Sequence, residues 1–289
     1  MPRGPIVITG CSTGIGRETA LRLACAGHRV FAGVRREADA EALRAECVAG
    51  LEPVLLEVTD AASIEAAAKQ VASALGEAGL AGLVNNAGIT TGGPLEYVDL
   101  DELRRVLEVN TIAPVAVTQA FLPLLRRARG RVVLVTSIGG RIATPIIAPY
   151  SASKFALEAL GDALRVELAP WGMHVAIVEP GAIATAIFGK GRSLAEQLMP
   201  SLSEEGKRRY AGMIRAVLDA FNAMEARANP PERAARAIEH ALTAARPRTR
   251  YLVGGDARAQ AWIARLPDRA RDRVLALLLK LPGSREVGE

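Results

Sequence analysis

Short runs of consecutive apolar, often β-branched residues alternate along the chain with longer Ala- and Leu-rich stretches whose apolar positions recur every three or four residues. The first pattern suits strands covered on both faces and the second suits amphipathic helices, so their alternation predicts a parallel sheet with helices on either side. Strands are expected near 5–9, 29–34, 52–58, 81–86, 130–136, 173–179 and 250–253, and helices near 15–26, 37–49, 61–77, 101–127, 149–169 and 231–245. The run Arg131-Val132-Val133-Leu134-Val135 shows the buried-strand pattern most plainly. Two stretches break the rhythm: an irregular one over about 182–230 and the tail beyond 255. The expectation is one doubly wound α/β domain of about seven strands over residues 1–255, the irregular stretch included, and a C-terminal extension at 256–289.

Composition leaves that picture intact. Half of the 289 residues are hydrophobic and 23% are charged, as in globular chains and unlike disordered ones. Charge changes it more. The formal net charge is +5, yet residues 1–245 carry 26 basic and 26 acidic side chains, and residues 246–289 carry 10 and 5. A nucleic-acid binder spreads a basic footprint over its working face, so the neutral body argues against nucleic acid as a partner. Cys11, Cys25 and Cys47 form no CxxC pair and are odd in number, which argues against a disulfide framework and for a reducing compartment. The N-terminus enters an apolar strand without a signal-peptide pattern, and the late apolar run 274–279 is far short of the ~20 residues that span a bilayer. A cytoplasmic location is expected.

Strand 5–9 ends in Thr9-Gly10-Cys11-Ser12-Thr13-Gly14-Ile15-Gly16, and a helix follows at once. A glycine-rich turn between strand and helix lets the backbone approach a pyrophosphate, and the free N–H groups of the helix N-terminus favour its charge. A tight βα turn without ligand would use the same glycines. The next strand runs Gly33-Val34-Arg35-Arg36, without the acid that holds the ribose 2′-hydroxyl of NAD. Guanidinium groups suit a 2′-phosphate, so NADP(H) is the expected cofactor, with Arg35 as its main contact and NAD(H) the alternative. The two arginines could instead be solvated charges opening the next helix.

Tyr150 and Lys154 in Tyr150-Ser151-Ala152-Ser153-Lys154 are four apart at the start of an expected helix, and so share a face. With only five lysines against 31 arginines, a lysine at this spacing stands out. Tyrosine ionises near pH 10; a neighbouring ammonium and a cationic nicotinamide would both lower that value toward the working range.

At this point the sequence resembles the short-chain dehydrogenase/reductase family, in its single-domain branch closest to steroid and retinol dehydrogenases. Four elements match in order: Thr9-Gly10-x-x-x-Gly14-x-Gly16; Asn85-Asn86-Ala87-Gly88; Ser137 with Tyr150-x-x-x-Lys154; and Pro180-Gly181 followed by Thr185. The resemblance implies a Rossmann-like fold and a set of roles. Tyr150 would be the general acid/base, Ser137 would hydrogen-bond the substrate oxygen, and Lys154 would hold the nicotinamide ribose. Asn110 would support a proton relay at a helix irregularity, although a capped kink explains it equally well. Gly10, Ser12, Thr13, Gly14, Ile15 and Gly16 would cradle the pyrophosphate. Asn86, Ala87 and Gly88 would border the adenosine ribose, and Pro180, Gly181, Ile183 and Thr185 the nicotinamide. The family usually has Asp where this chain has Glu57, which puts that side chain's adenine contact in doubt and leaves the Val58 backbone.

The expected reaction is hydride transfer between NADP(H) and a secondary alcohol or its carbonyl form, with no metal, since His28, His174 and His240 lie apart and outside every motif. The resemblance implies that the stretch at about 182–230 is a helical lid over the active site; its apolar residues, among them Ile183, Ile187, Phe188, Leu194, Leu198, Leu202, Ile214 and Val217, suit a lipophilic steroid, retinoid or acyl-type substrate, or are simply buried helix faces. The alternative is a catalytically idle nucleotide sensor, or a partner- or membrane-binding protein, on the same fold. The resemblance also implies a homodimer or homotetramer through the helix near 101–127. The basic amphipathic tail could touch an anionic membrane, but packing on its own protein or a second subunit is the preferred reading.

Overall fold

Successive residues of a strand point to opposite faces of a sheet, and here both directions lead into a core. The computed structural model describes residues 4–185, 199–200 and 202–282. Strands β1 (Ile6–Ile8), β2 (Val30–Val34), β3 (Leu51–Leu55), β4 (Gly82–Asn85), β5 (Arg131–Val135), β6 (His174–Pro180) and β7 (Arg250–Val253) form one sheet in the order β3-β2-β1-β4-β5-β6-β7. Every pairing is parallel. Helices α1 (Gly14–Cys25), α2 (Glu37–Arg44), α3 (Ala61–Leu75), α4 (Leu100–Leu107), α5 (Ala113–Ala128) and α6 (Ala148–Leu168) are followed by α7 (Glu204–Glu225), α8 (Pro231–Thr243), α9 (Gly255–Ile263) and α10 (Asp268–Leu278).

The alternation decides which helix lies on which side. Ile6, Ile8, Val84, Val133 and Val178 share a cluster with Leu23 of α1 and Ile238 of α8, while Val7, Leu83, Val132, Leu134 and Val175 meet Ile64 of α3, Phe121 of α5 and Leu157 of α6. Phe121 is fully buried, and truncating such a ring to Ala costs about 3–5 kcal/mol. Because β1 lies between β2 and β4, successive connections diverge at its C-terminal end, which opens a crevice there.

Four details differ from the sequence pattern. The expected helix at 37–49 stops at Arg44, and Cys47 takes a left-handed φ of 52°. The stretch expected to be irregular contains α7, 22 residues capped by the Ser203 hydroxyl accepting the Gly206 N–H at 3.1 Å; its Ile214 and Val217 are buried, as is Leu202 before it. Ile187, Phe188, Leu194 and Leu198 lie outside the described residues.

The expected long helix at 101–127 is α4 and α5 joined through a π turn, Glu108–Ile112. Pro114 explains the widening. It has no N–H for the carbonyl four residues back, that of Asn110, and its ring would collide with it; the Ala113 N–H instead reaches Glu108, five residues back. By length and hydropathy the run Leu100–Ala128 could cross a membrane, but its Val117, Phe121 and Leu125 are fully buried against the sheet.

The extension expected from residue 256 begins inside the domain. Ala257 and Ala261 of α9 are buried against Ile138 and Ile142, so the boundary cuts the first turn of a packed helix. Beyond it α10 buries no residue completely, and Trp262, Leu277 and Leu278 are 69%, 77% and 61% exposed.

Candidate active site

The crevice at the end of β1 is a cleft of about 330 Å³. One wall is the glycine loop. Gly10 has φ +70°, and a Cβ there would lie 2.8 Å from the Ala87 Cα, so only glycine lets the loop meet the end of β4. Thr9 ties the two: its hydroxyl accepts the N–H groups of Asn86 (3.0 Å) and Ala87 (2.9 Å), while the Asn86 amide donates to the Thr9 and Gly10 carbonyls at 2.9 and 3.1 Å. The motif's spacing alone gives Thr9 no such role.

Gly10, Ser12, Thr13, Gly14 and Ile15 line the cleft, as do Asn86, Ala87 and Gly88. Gly16 does not; it packs α1 onto the loop, where a Cβ would come within 2.3 Å of the Gly10 carbonyl oxygen. The N-terminus of α1 has no side-chain cap and no acid in its first turn. An uncapped helix start bordering a concave cleft is the fit a pyrophosphate requires.

One end of the cleft is bounded by Arg35, Leu56, Glu57, Val58 and Thr59. Arg36 is turned away, forked onto Asp39 with two bonds of 2.9 Å. Arg35 is largely exposed and stands 3.9 Å from Glu57. Glu57 is itself occupied, accepting the N–H and hydroxyl of Thr59 at 3.2 and 3.0 Å. Arg105 of α4 also lines this cleft, which the sequence alone did not suggest.

At the other end, β5, α6 and β6 bring together Ser137, Tyr150, Lys154, Pro180, Gly181, Ile183 and Thr185. The Ser137 hydroxyl caps the turn Ile138–Gly140 by accepting the Gly139 N–H at 3.0 Å, and it is hydrogen-bonded to Tyr150. Lys154 is buried one turn along α6, with Nζ 3.1 Å from the Val135 carbonyl oxygen and 5.8 Å from the Tyr150 ring centroid. Burial pushes the Tyr150 phenol above its ordinary value, against the pull of Ser137. Burial likewise brings the Lys154 ammonium down to about 8, opposed by Glu158. The expected lowering of the tyrosine is therefore not present in the protein alone, because the ammonium faces a carbonyl and desolvation prevails.

Asn110 does not line the cleft. Fully buried in the π turn, it accepts the Ile89 N–H and donates to the Ile89 carbonyl, both at 2.9 Å, and donates to the Ser153 hydroxyl at 2.9 Å. Ser153 returns to the Tyr150 carbonyl at 2.7 Å, so Asn110 links the cleft wall to the helix that carries Tyr150.

Beneath Ser137 lies an ionic cluster absent from every motif. The Thr136 hydroxyl donates to Glu158 at 2.6 Å; Arg250 binds Glu158, Glu179 and Asp162; Arg141 binds Glu179. Its members are scattered from 136 to 250, and no local spacing could have revealed them.

The profile of the short chain dehydrogenase family matches residues 5–195. Retinol dehydrogenase 5 of Mus musculus is 42% identical over 286 residues, covering 96% of this chain and 89% of the relative. The 17-beta-hydroxysteroid dehydrogenase type 6 of Homo sapiens is 40% identical over 259 residues, covering 88% and 81%. Among solved structures, a short-chain dehydrogenase from Streptomyces avermitilis superposes with a TM-score of 0.74 at 32% identity, over 96% of both chains. One from Burkholderia cenocepacia in complex with NADP gives 0.69 at 26%, over 96% of this chain and 98% of that one.

Proposed function

The chain belongs to the short-chain dehydrogenase family, and from that premise we propose that it is an NADP(H)-dependent oxidoreductase interconverting a lipophilic secondary alcohol and its carbonyl form. The observation that carries this reading is the meeting of Ser137, Tyr150 and Lys154 at one end of a cleft whose other end is an uncapped helix start and Arg35.

A bound nicotinamide supplies the hydride in reduction and accepts it in oxidation. The chain's own residues manage the oxygen and its proton. With its value raised by burial, Tyr150 is a neutral phenol at pH 7 and therefore a proton donor to a carbonyl oxygen, which suits the reductive direction. Ser137, already fixed by Gly139, polarises that oxygen. Lys154, protonated at neutral pH, would hold ribose hydroxyls beside Gly88 and help Tyr150 give up its proton once a second cation is near. Arg35 would meet a 2′-phosphate, exchanging a long contact with Glu57 for a shorter one.

A lipophilic substrate is supported by relatives named for retinol and hydroxysteroids, and NADP(H) by Arg35 at the cleft; solved neighbours hold NADP in some cases and NAD in others. Turnover over retinoid, steroid, medium-chain and small polar carbonyls with NADPH and NADH tests both. Tyr150→Phe removes only the proton donor and should lower kcat by about 10²–10⁴-fold with unchanged NADPH binding. Near-wild-type turnover by that variant would remove the basis of the mechanism.

A further inference from the structure

Helix α9 follows β7 after a single residue and touches both walls of the catalytic end of the cleft. On one side Ala257 and Ala261 pack against Ile138 and Ile142, in and just after the turn that Ser137 caps. On the other, the carboxylate of Asp256 accepts the N–H of Ala182 at 2.6 Å. The same loop is pinned by Asn229, which donates its backbone N–H and side-chain amide to the Ala182 carbonyl at 2.8 and 3.2 Å and accepts the Ala184 N–H at 2.9 Å. The backbone has made room for the carboxylate: a Cβ on Gly181 would lie 2.1 Å from one oxygen of Asp256, and a Cβ on Gly254 2.3 Å from the other.

We propose that Asp256 is a positioning residue that locks the loop 180–185 at the nicotinamide end of the cleft, so that α9 sets the spacing between this loop and the turn of Ser137. The inference rests on reading the cleft as a nicotinamide site. A carboxylate on a backbone N–H makes a stronger bond than a neutral acceptor, and this one ties a residue of the cleft wall to a helix 74 residues later. Hydride transfer needs donor and acceptor held to fractions of an ångström, and a misplacement of about 1 Å costs on the order of 10²-fold in rate. The expected tail thereby acquires a catalytic consequence at its first residue.

The test compares full-length wild type, Asp256→Ala, Asp256→Asn and Gly181→Ala. The readouts are kcat, the KM of the carbonyl, the melting temperature and the Kd for NADPH measured by nucleotide fluorescence without substrate. Asp256→Ala should lower kcat about 10²-fold and weaken NADPH binding while leaving the carbonyl KM unchanged, and Asp256→Asn, which keeps an acceptor of the same shape, should recover most of both. Gly181→Ala, whose methyl takes the carboxylate's place, should reproduce the loss, and adding Asp256→Ala to it should cost nothing more. Wild-type kcat and NADPH affinity in Asp256→Ala overturn the proposal, as does a fall confined to the melting temperature. A wild type that binds neither NADPH nor NADH overturns the cleft reading itself, and is told apart by failing before any variant is compared.

Discussion

Arg250→Met removes the cation at the centre of the cluster beneath Ser137 while leaving an apolar stem of similar length. The three carboxylates it releases are not equivalent. The Asp162 side chain is 45% exposed and also binds Arg165, so losing that arm is worth about 1 kcal/mol or less. The Glu179 side chain is 0% exposed but keeps Arg141 at 2.7 Å. Glu158, 10% exposed, keeps the Thr136 hydroxyl and the longer-range pull of the Lys154 ammonium. Breaking one partner of a buried pair costs about 3–5 kcal/mol, and because Glu179 stays paired the lower figure is expected, roughly 5 °C in Tm for a chain of this size. Burial holds the Glu158 carboxyl above the usual range against the pull of Thr136 and Arg250, so deleting Arg250 raises it further. A carboxyl with a raised folded value binds more protons folded than unfolded, and stability falls as pH climbs from the unfolded value near 4.5 through the folded one. The deficit of Arg250→Met should therefore be smaller at pH 5 than at pH 8. Urea unfolding at both pH values measures it, and Glu158→Gln, added to Arg250→Met, should restore part of the loss because a carboxamide needs no counter-ion. A deficit below about 1 kcal/mol, or one equal at both pH values and untouched by Glu158→Gln, would refute the reasoning.

Lys154, with its folded value near 8 against 10.5 when exposed, holds fewer protons folded than unfolded between those limits; wild-type stability relative to Lys154→Met should rise from pH 7.5 to 9.5 by at most about 1.4 kcal/mol per unit, and a flat difference in paired urea titrations would contradict the burial argument. Glu57→Gln removes the carboxylate that stands 3.9 Å from Arg35 and should raise kcat/KM for NADPH more than for NADH, whereas Arg35→Ala should do the reverse; equal effects on both nucleotides would remove Arg35 from the 2′-phosphate. Phe155 and Val166 are 42% and 70% exposed, and being eleven apart on α6 they share a face. An oligomer buried there should dissociate in Val166→Asp, read by light scattering on a sizing column, and an unchanged mass would exclude that face.

The sequence alone determined the layered fold, because burial on both faces of a parallel strand leaves an unbroken apolar run and its crossover helix leaves a period near 3.6. It also determined the chemistry compressed into short windows: the glycine loop fits between one strand and one helix, and Tyr150 and Lys154 lie one helical turn apart. Ser137 stands just past a strand end, and its role was legible only through the resemblance to the dehydrogenase family. What depended on distant segments was decided only by tertiary structure. Arg250 reaches Glu158 and Glu179 only because β6, β7 and α6 come together, and Asp256 reaches Ala182 only because α9 follows β7 back toward the cleft. The Tyr150 phenol also moved opposite to the sequence argument. Spacing can place an ammonium near a hydroxyl, but how much water both have lost depends on everything packed around them, and in this cleft desolvation outweighs the neighbour.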